Sequence, residues 1–338
     1  MAMSGGVDSC VAAFLLKRAG YEVLGVNIEL GQASTRSAHD VKHICHILGI
    51  PFHAFNFKTE FQQHVVNYFC QEYKRGRTPN PCIACNQHMK FDLLLQRAFS
   101  LNADYLATGH YAKIKHFNGN YHLLKAADTN KDQSYFLCTL SQKELKHLLF
   151  PLGNYSKSEV RQLAKEEALP VINKPDSQDA CFISNNNYRT FLAQHFTPIP
   201  GDIVDTGDKL VGQHQGIAFY TIGQRRNLGL TSSKPLYVIK IETESNKIVV
   251  GSKEELYSQK LIAQKVNWVT GNSPSKLISI TAKIRYKSPE APATLFPKGD
   301  STEVRFQKPQ WAVTPGQAVV FYKHDEILGG GIIGNREQ

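Results

Sequence analysis

Short apolar runs and amphipathic stretches alternate over the first hundred residues. Residues 21–29 (YEVLGVNIE) and 51–57 (PFHAFNF) read as buried strands. Between them, residues 40–48 space their apolar positions as a helix does and stop at Gly49. Helices are predicted again over 60–73 and about 84–99, and residues 104–108 (DYLAT) form another strand that ends at Gly109-His110. Strands alternating with helices predict a parallel sheet covered on both faces. In such sheets ligands sit beyond the carboxyl ends of the strands. Residues 111–127 change to a hairpin pattern, YAKIKHF and YHLLKAA around Asn118-Gly119-Asn120. Ser156 with Glu159 forms a capping box that opens a helix running to about Ala168, and Pro170 ends it. Residues 173–187 (NKPDSQDACFISNNN) are polar, contain few helix formers and read as a loop.

From about Gly201 the period drops to two. GIAFYTIG, PLYVIKIETE, KIVVGS, LISITAKIRY, TEVRF, AVVFY and ILGGGII are separated by Gly, Asn and Asp, which predicts small β domains. The expected fold class is therefore an α/β parallel-sheet domain over residues 1–195, a small central β domain over 196–260 and a C-terminal β-barrel over 261–338. A length of 338 residues with 42% hydrophobic positions suits two or three cores. No apolar run reaches eighteen residues, so no membrane span is expected. The N-terminus lacks a basic stretch followed by an apolar one, and a cytoplasmic location is expected. A net charge of +10, from 39 Lys+Arg against 29 Asp+Glu, favours a polyanionic partner.

Ser4-Gly5-Gly6-Val7-Asp8-Ser9 is the stretch with the clearest chemistry. Two glycines permit a tight turn and close approach to a ligand. The apolar run behind Ser9 reads as a buried helix that stops at Gly20. A glycine loop feeding a helix N-terminus suits an anion, because backbone N–H groups and the helix dipole point at it. No Lys follows the glycines, which excludes the common Gly-x-x-x-x-Gly-Lys-Ser/Thr loop. Only Met1, Ala2 and Met3 precede it. The first strand is therefore expected to be short, either truncated or begun upstream.

Seven cysteines at irregular spacing do not suggest a disulfide framework. Cys10, Cys45, Cys70 and Cys138 lie in apolar patterns and read as core. Cys82 and Cys85 follow the rigid Pro79-Asn80-Pro81 loop at a helix start, where the dipole is expected to lower a thiol pKa. Three readings of Cys-Ile-Ala-Cys compete: half of a zinc site, a redox pair, or one nucleophile with a neighbour.

The loop Ser4–Ser9 resembles the SGGxDS loop of PP-loop ATP pyrophosphatases. GRTPNPCIACNQHMKF, ATGHYA (107–112), KDQSYFL (131–137), SQDACFI (177–183), YTIGQR (220–225), KIRY (283–286) and PQWAVTPGQ (309–317) resemble, in order, blocks of the tRNA-specific 2-thiouridylases. That resemblance implies ATP-dependent thiolation of C2 of the wobble uridine of tRNA through an adenylated intermediate. It implies ATP with magnesium at Met3, Ser4, Gly5, Gly6, Val7, Asp8, Ser9, Leu30 and Gly109, the last sitting against the nucleotide. It assigns Cys181 the persulfide and Cys85 the assisting nucleophile, with a transient Cys85–Cys181 disulfide. It places tRNA contacts, at the anticodon stem-loop, on Asn80, Pro81, His110, Lys131, Asp132, Gln133, Arg285, Tyr286 and Gln317. A sulfur-donor protein, a cysteine desulfurase or a relay carrier, is implied as partner. Cys82 stands where one common form of the motif has Asp. Hence a second reading makes Cys82, Cys85 and Cys181 ligands of an iron–sulfur cluster. Other readings are a PP-loop ligase acting on a metabolite, and a non-catalytic RNA-binding protein with a relic nucleotide loop.

Overall fold

The computed structural model describes residues 1–31, 34–171, 180–183 and 187–334. Its first core is a parallel sheet. Strands β1 (Gly25–Glu29) and β2 (Phe52–Asn56) pair in parallel, as do β3 (Leu106–Ala107) and β6 (Leu148–Leu149). Residues 1–3 join the two pairs. The Met3 N–H donates to the Val26 carbonyl at 2.7 Å and the Ala2 N–H to the Ala107 carbonyl at 2.8 Å. At the place of the expected short first strand, Ala2 bridges Val26 in parallel and residues 1–3 bond to both neighbours. The order across the sheet is β2, β1, residues 1–3, β3, β6.

Helix Val7–Arg18 follows directly and buries Val7, Cys10, Val11, Ala12, Ala13, Leu15 and Leu16. Its apolar positions run nearly all round, as befits a helix with few exposed sides. Helix Ser34–Leu48 begins six residues before the sequence pattern suggested. Continuous helices span 58–74 and 81–100, and each opens into π-helical turns, over Gln62–Val66 and Cys85–Leu94. Both hydrogen bonds of the Ser156/Glu159 capping box form, and helix Lys157–Glu166 follows. The loop expected over 173–187 falls mostly outside the described residues. Helix Tyr188–His195, which the polar pattern concealed, is capped by Asn187.

Strands β7 (Gly201–Asp205), β8 (Leu210–His214), β9 (Tyr237–Glu242) and β10 (Lys247–Gly251) make a four-stranded sheet in the order β8-β7-β10-β9. Strands β11 (Tyr257–Trp268), β12 (Ile278–Lys283), β13 (Ala291–Lys298), β14 (Ser301–Trp311), β15 (Ala318–Lys323) and β16 (Glu326–Ile333) close into a barrel in which β11 pairs with both β14 and β16. Two expectations need correction. Residues 217–219 form a 3-10 turn instead of a strand; Gly216 and Gly223 both take positive φ and break an extended run. Arg285 and Tyr286 lie past the end of β12, in a turn closed by the Ser288 N–H on the Arg285 carbonyl.

The hairpin of β4 (Ala112–Phe117) and β5 (Asn120–Lys125) turns on Asn118 and Gly119, both at positive φ. It belongs to the C-terminal sheet, because β5 pairs with β16 through Leu124 and Glu326. His122 Nδ1 lies 2.6 Å from Glu326 Oε1 across that seam. Among the described residues no helix is long and apolar enough to cross a membrane.

Tyr135 ties the first domain to the barrel at another point. It is fully buried, and its hydroxyl donates to the Ala318 carbonyl at 2.9 Å. Tyr135→Phe is expected to destabilise the chain by about 1–2 kcal/mol, because the Ala318 carbonyl loses a buried donor. Thermal unfolding checks it, and an unchanged melting temperature would contradict it.

Candidate active site

The phosphate-loop candidate is braced by its own hydroxyls. Gly5 takes φ +75°. Ser9 Oγ accepts the Ser4 N–H at 3.2 Å and donates to the Gly6 carbonyl at 3.1 Å. Gly6 caps the helix without any side-chain acceptor, so the first turn is left to the dipole and its N–H groups. Asp8 does not leave a bare negative charge there. Lys157 Nζ lies 2.7 and 2.8 Å from its two carboxylate oxygens, and the Tyr111 hydroxyl donates to it at 2.7 Å. Sequence reasoning missed Lys157, which reaches Asp8 from 149 residues away with no local signal to mark it. Met3 ends the segment of residues 1–3 and Leu30 follows β1, at the same end of the sheet.

Gly109 packs against this loop. A Cβ there would stand 3.0 Å from Asp8 C and from Ser9 N, both backbone atoms that cannot give way. The next residue, His110, packs against the rings of Phe91 and Phe150, with centroids 5.8 and 5.9 Å away. Its Nδ1 is 2.7 Å from Thr108 Oγ1. Burial, and then the Lys90 ammonium, hold its pKa well below the ordinary histidine value, so the ring is neutral at physiological pH.

Phe91 belongs to the helix 81–100, which also carries the thiols. Asn80 starts that helix: its Oδ1 accepts the N–H groups of Cys82 at 3.1 Å and Ile83 at 3.3 Å, and Pro81 follows at the first helical position. Cys82 is exposed and Cys85 half-buried. The dipole was expected to lower a thiol pKa here. Cys85 instead goes up to about 12, because burial of the sulfur outweighs the nearby Lys90 charge. Charge on Cys181 or Cys82 would raise it further, so the three sulfurs share one electrostatic neighbourhood. Cys181 is raised as well, by burial around its sulfur, and Lys90 pulls it back down. Its place is set by Phe182, whose ring packs on Phe61, Phe69 and Phe191 at 5.7, 5.4 and 5.1 Å.

The Lys90 charge therefore bears on Cys85, Cys181 and His110 together, which nothing in the sequence pattern announced. Among the described residues no group of three His, Cys, Asp or Glu is arranged to hold a metal ion, and the three thiols are no exception.

The other expected contact residues are more engaged inside the protein than their sequence suggested. Asp132 is buried, and its carboxylate accepts from the Ala126 and Ser134 N–H groups and from the Ser134 hydroxyl. Gln133 Oε1 accepts the Tyr111 N–H at 3.0 Å. Lys131 closes the preceding turn with its N–H on the Asp128 carbonyl. Arg285 donates to the Trp311 carbonyl at 2.9 Å and sits 5.1 Å over that ring. Tyr286 packs on Phe136 at 4.4 Å. The Gln317 side-chain amide donates to the Thr78 carbonyl at 2.9 Å.

Three family models cover nearly all of the chain. Residues 1–185 match the tRNA methyl transferase HUP domain, 189–252 the tRNA methyl transferase PRC-barrel domain and 258–333 the aminomethyltransferase beta-barrel domain. The tRNA-specific 2-thiouridylase of Halothermothrix orenii is 47% identical over 349 residues, covering 98% of each chain. A tRNA-specific 2-thiouridylase of Caldanaerobacter subterraneus is 46% identical over 350 residues, covering 98% of this chain and 96% of its own. The solved structure of a U34-tRNA thiolase from Methanococcus maripaludis, with its [4Fe-4S] cluster, matches at a TM-score of 0.36 and 19% identity over 58% of this chain and 63% of its own, too loosely to carry an argument.

Lys90→Met is expected to raise the pKa of both Cys85 and Cys181, since a positive charge that favours thiolate is removed. At fixed pH less thiolate is present. Alkylation of Cys85 by iodoacetamide at pH 8 should slow several-fold, and its pH profile should move to higher pH. Peptide mass mapping after timed quenching reads this, and an unmoved profile would show that Lys90 does not reach the sulfur.

Proposed function

The chain belongs to the tRNA-specific 2-thiouridylase family, and from that premise we infer that it replaces the C2 oxygen of the wobble uridine of tRNA by sulfur, using ATP. One observation supports this reading above others: the glycine loop, Gly109-His110 and the Cys85 helix form a continuous run of contacts. ATP is the substrate that makes a poor leaving group into a good one. The uridine O2 attacks the α-phosphorus, pyrophosphate departs, and the carbonyl carbon carries AMP on its oxygen.

The loop Ser4–Ser9 would hold the phosphates with N–H groups and hydroxyls, with magnesium accompanying the nucleotide. Lys157 would keep Asp8 neutralised beside them. Met3, Leu30 and Gly109 would border the nucleotide. Asn80 and Pro81, next to the thiols, would border the uridine, which a loop-modifying enzyme must swing out of its stack. His110, neutral and fixed by Thr108, would face it. Lys131, Gln133, Arg285 and Tyr286 would meet the anticodon stem-loop.

Sulfur transfer then takes two steps. The outer sulfur of a Cys181 persulfide attacks C2, and AMP leaves with the C–O electron pair. Cys85 attacks Cys181 Sγ; that sulfur's bond to the outer sulfur breaks, and its electrons stay with the new C2 thiocarbonyl. A Cys85–Cys181 disulfide remains for an external thiol to reduce. A sulfur-donor protein, a desulfurase or relay carrier, would load Cys181, an exposed residue whose sulfur is nonetheless packed about. No step is derived through an iron–sulfur cluster: among the described residues no group of three His, Cys, Asp or Glu is arranged to hold a metal ion.

Cys181→Ser is expected to abolish thiolation while tRNA-dependent ATP–pyrophosphate exchange persists. Mass analysis of the wobble uridine and radiolabelled pyrophosphate read the two separately, and loss of both would make Cys181 structural. Affinity for unmodified tRNA should fall about tenfold or more between roughly 50 and 200 mM salt, since cation–phosphate contacts release counterions. A flat response in filter binding would remove the basic surface as the docking face.

A further inference from the structure

Residues 77–80 link the helix 58–74 to the helix whose first turn bears Cys82 and Cys85. Both β domains grip that link at one residue. The Thr78 N–H donates to the Pro315 carbonyl at 2.9 Å, and the Thr78 carbonyl accepts the Gln317 side-chain amide at 2.9 Å. The Thr78 hydroxyl lies 3.1 Å from the Thr221 hydroxyl of the central domain. Its N–H, its carbonyl and its hydroxyl are thus each engaged by a domain other than its own.

The neighbours reinforce the grip. Arg77 pairs with the buried Glu72 at 2.8 Å and donates to the Ile333 carbonyl at 3.3 Å. Gly316 takes φ +90°, and a Cβ on it would stand 2.9 Å from Thr78 N, so barrel turn and link meet backbone to backbone. Beyond Thr78 the chain is stiff. Pro79 and Pro81 fix φ, and Asn80 between them is tied to the helix start. A displacement at Thr78 is therefore passed on to the thiols rather than absorbed. Reactions that depend on aligned atoms lose rate steeply with misplacements of about 1 Å.

We propose that Thr78 is the joint through which the two β domains position the thiol-bearing helix, and that Gln317 and Thr221 are positioning residues for sulfur transfer, acting through Thr78. The proposal rests on the thiolation reading above and gives Gln317 a purpose other than touching tRNA. Both β domains then contribute to the rate of the chemical step as well as to holding the RNA.

The test uses the full chain with Gln317→Ala, Thr221→Val and the hydroxyl-retaining Thr221→Ser. Three quantities are read: the tRNA dissociation constant, the single-turnover thiolation rate at saturating tRNA, and the iodoacetamide alkylation rate of Cys82 and Cys85 in tRNA-free protein. The expected result is a dissociation constant within about twofold of the parent, a thiolation rate lowered about tenfold in Gln317→Ala and Thr221→Val, altered thiol alkylation in both, and recovery in Thr221→Ser. Thermal melts show whether each variant is folded, and Thr221→Val, which removes one oxygen and nearly keeps the shape, serves if Gln317→Ala is not. Weakened tRNA binding with an unchanged saturating rate would overturn the proposal and make Gln317 an RNA contact. Unchanged values throughout would also overturn it. If the parent chain itself does not thiolate uridine, the functional reading fails, while the alkylation rates still decide whether the joint moves the thiols.

Discussion

A side chain that is missing at residue 109 sets the layout of the centre. The strand end and the glycine turn approach until backbone meets backbone, and a single methyl group would force them apart. Because Gly109 is in place, His110 falls against Phe91 and Phe150, and Phe91 belongs to the helix that carries Cys85. The nucleotide loop and the thiols are therefore registered to each other through three touching parts. The π-helical stretch that begins at Cys85 widens the helix along that run, a distortion that costs stability and recurs at functional sites.

Burial has opposite consequences for the two halves of the chemistry. Excluding water protects an activated carbonyl from hydrolysis and strengthens every charge placed near it. The same dryness disfavours a thiolate, so Cys85 is held as a thiol in the free protein. Lys90 works against that penalty for both cysteines at once, while burial, with Lys90 second to it, keeps His110 uncharged. A nucleophile kept protonated until its electrophile arrives is spared premature oxidation.

What could be read in advance was what neighbours along the chain decide. The glycine turn, the Ser156 capping box, the Asn118-Gly119 hairpin and most of the period-two strands depend on residues a few positions apart, and these formed where their patterns lay. What could not be read depends on the fold. Lys157 meets Asp8 across 149 residues and Gln317 meets Thr78 across 239, with no local pattern to mark either. The thiol expectation erred for the same reason: a helix dipole is visible in sequence, whereas the packing that buries Cys85 is not. Residues 216–223 look like a strand because their apolar content is high. Their glycines, at positive φ, bend the backbone instead.

The hairpin built from residues 112–125 has a consequence for how the chain is made. Its docking edge emerges from the ribosome long before the strand that receives it, since His122 and Glu326 stand 204 residues apart. At translation speeds of about 5–20 residues per second, that edge waits for roughly 10–40 seconds. Lys113, Lys115 and Lys125 along the hairpin are the kind of charge that discourages an unpaired strand from joining a stranger in the interval. Synthesis can therefore start the nucleotide-binding half early, but its last seam is sewn only when the barrel arrives.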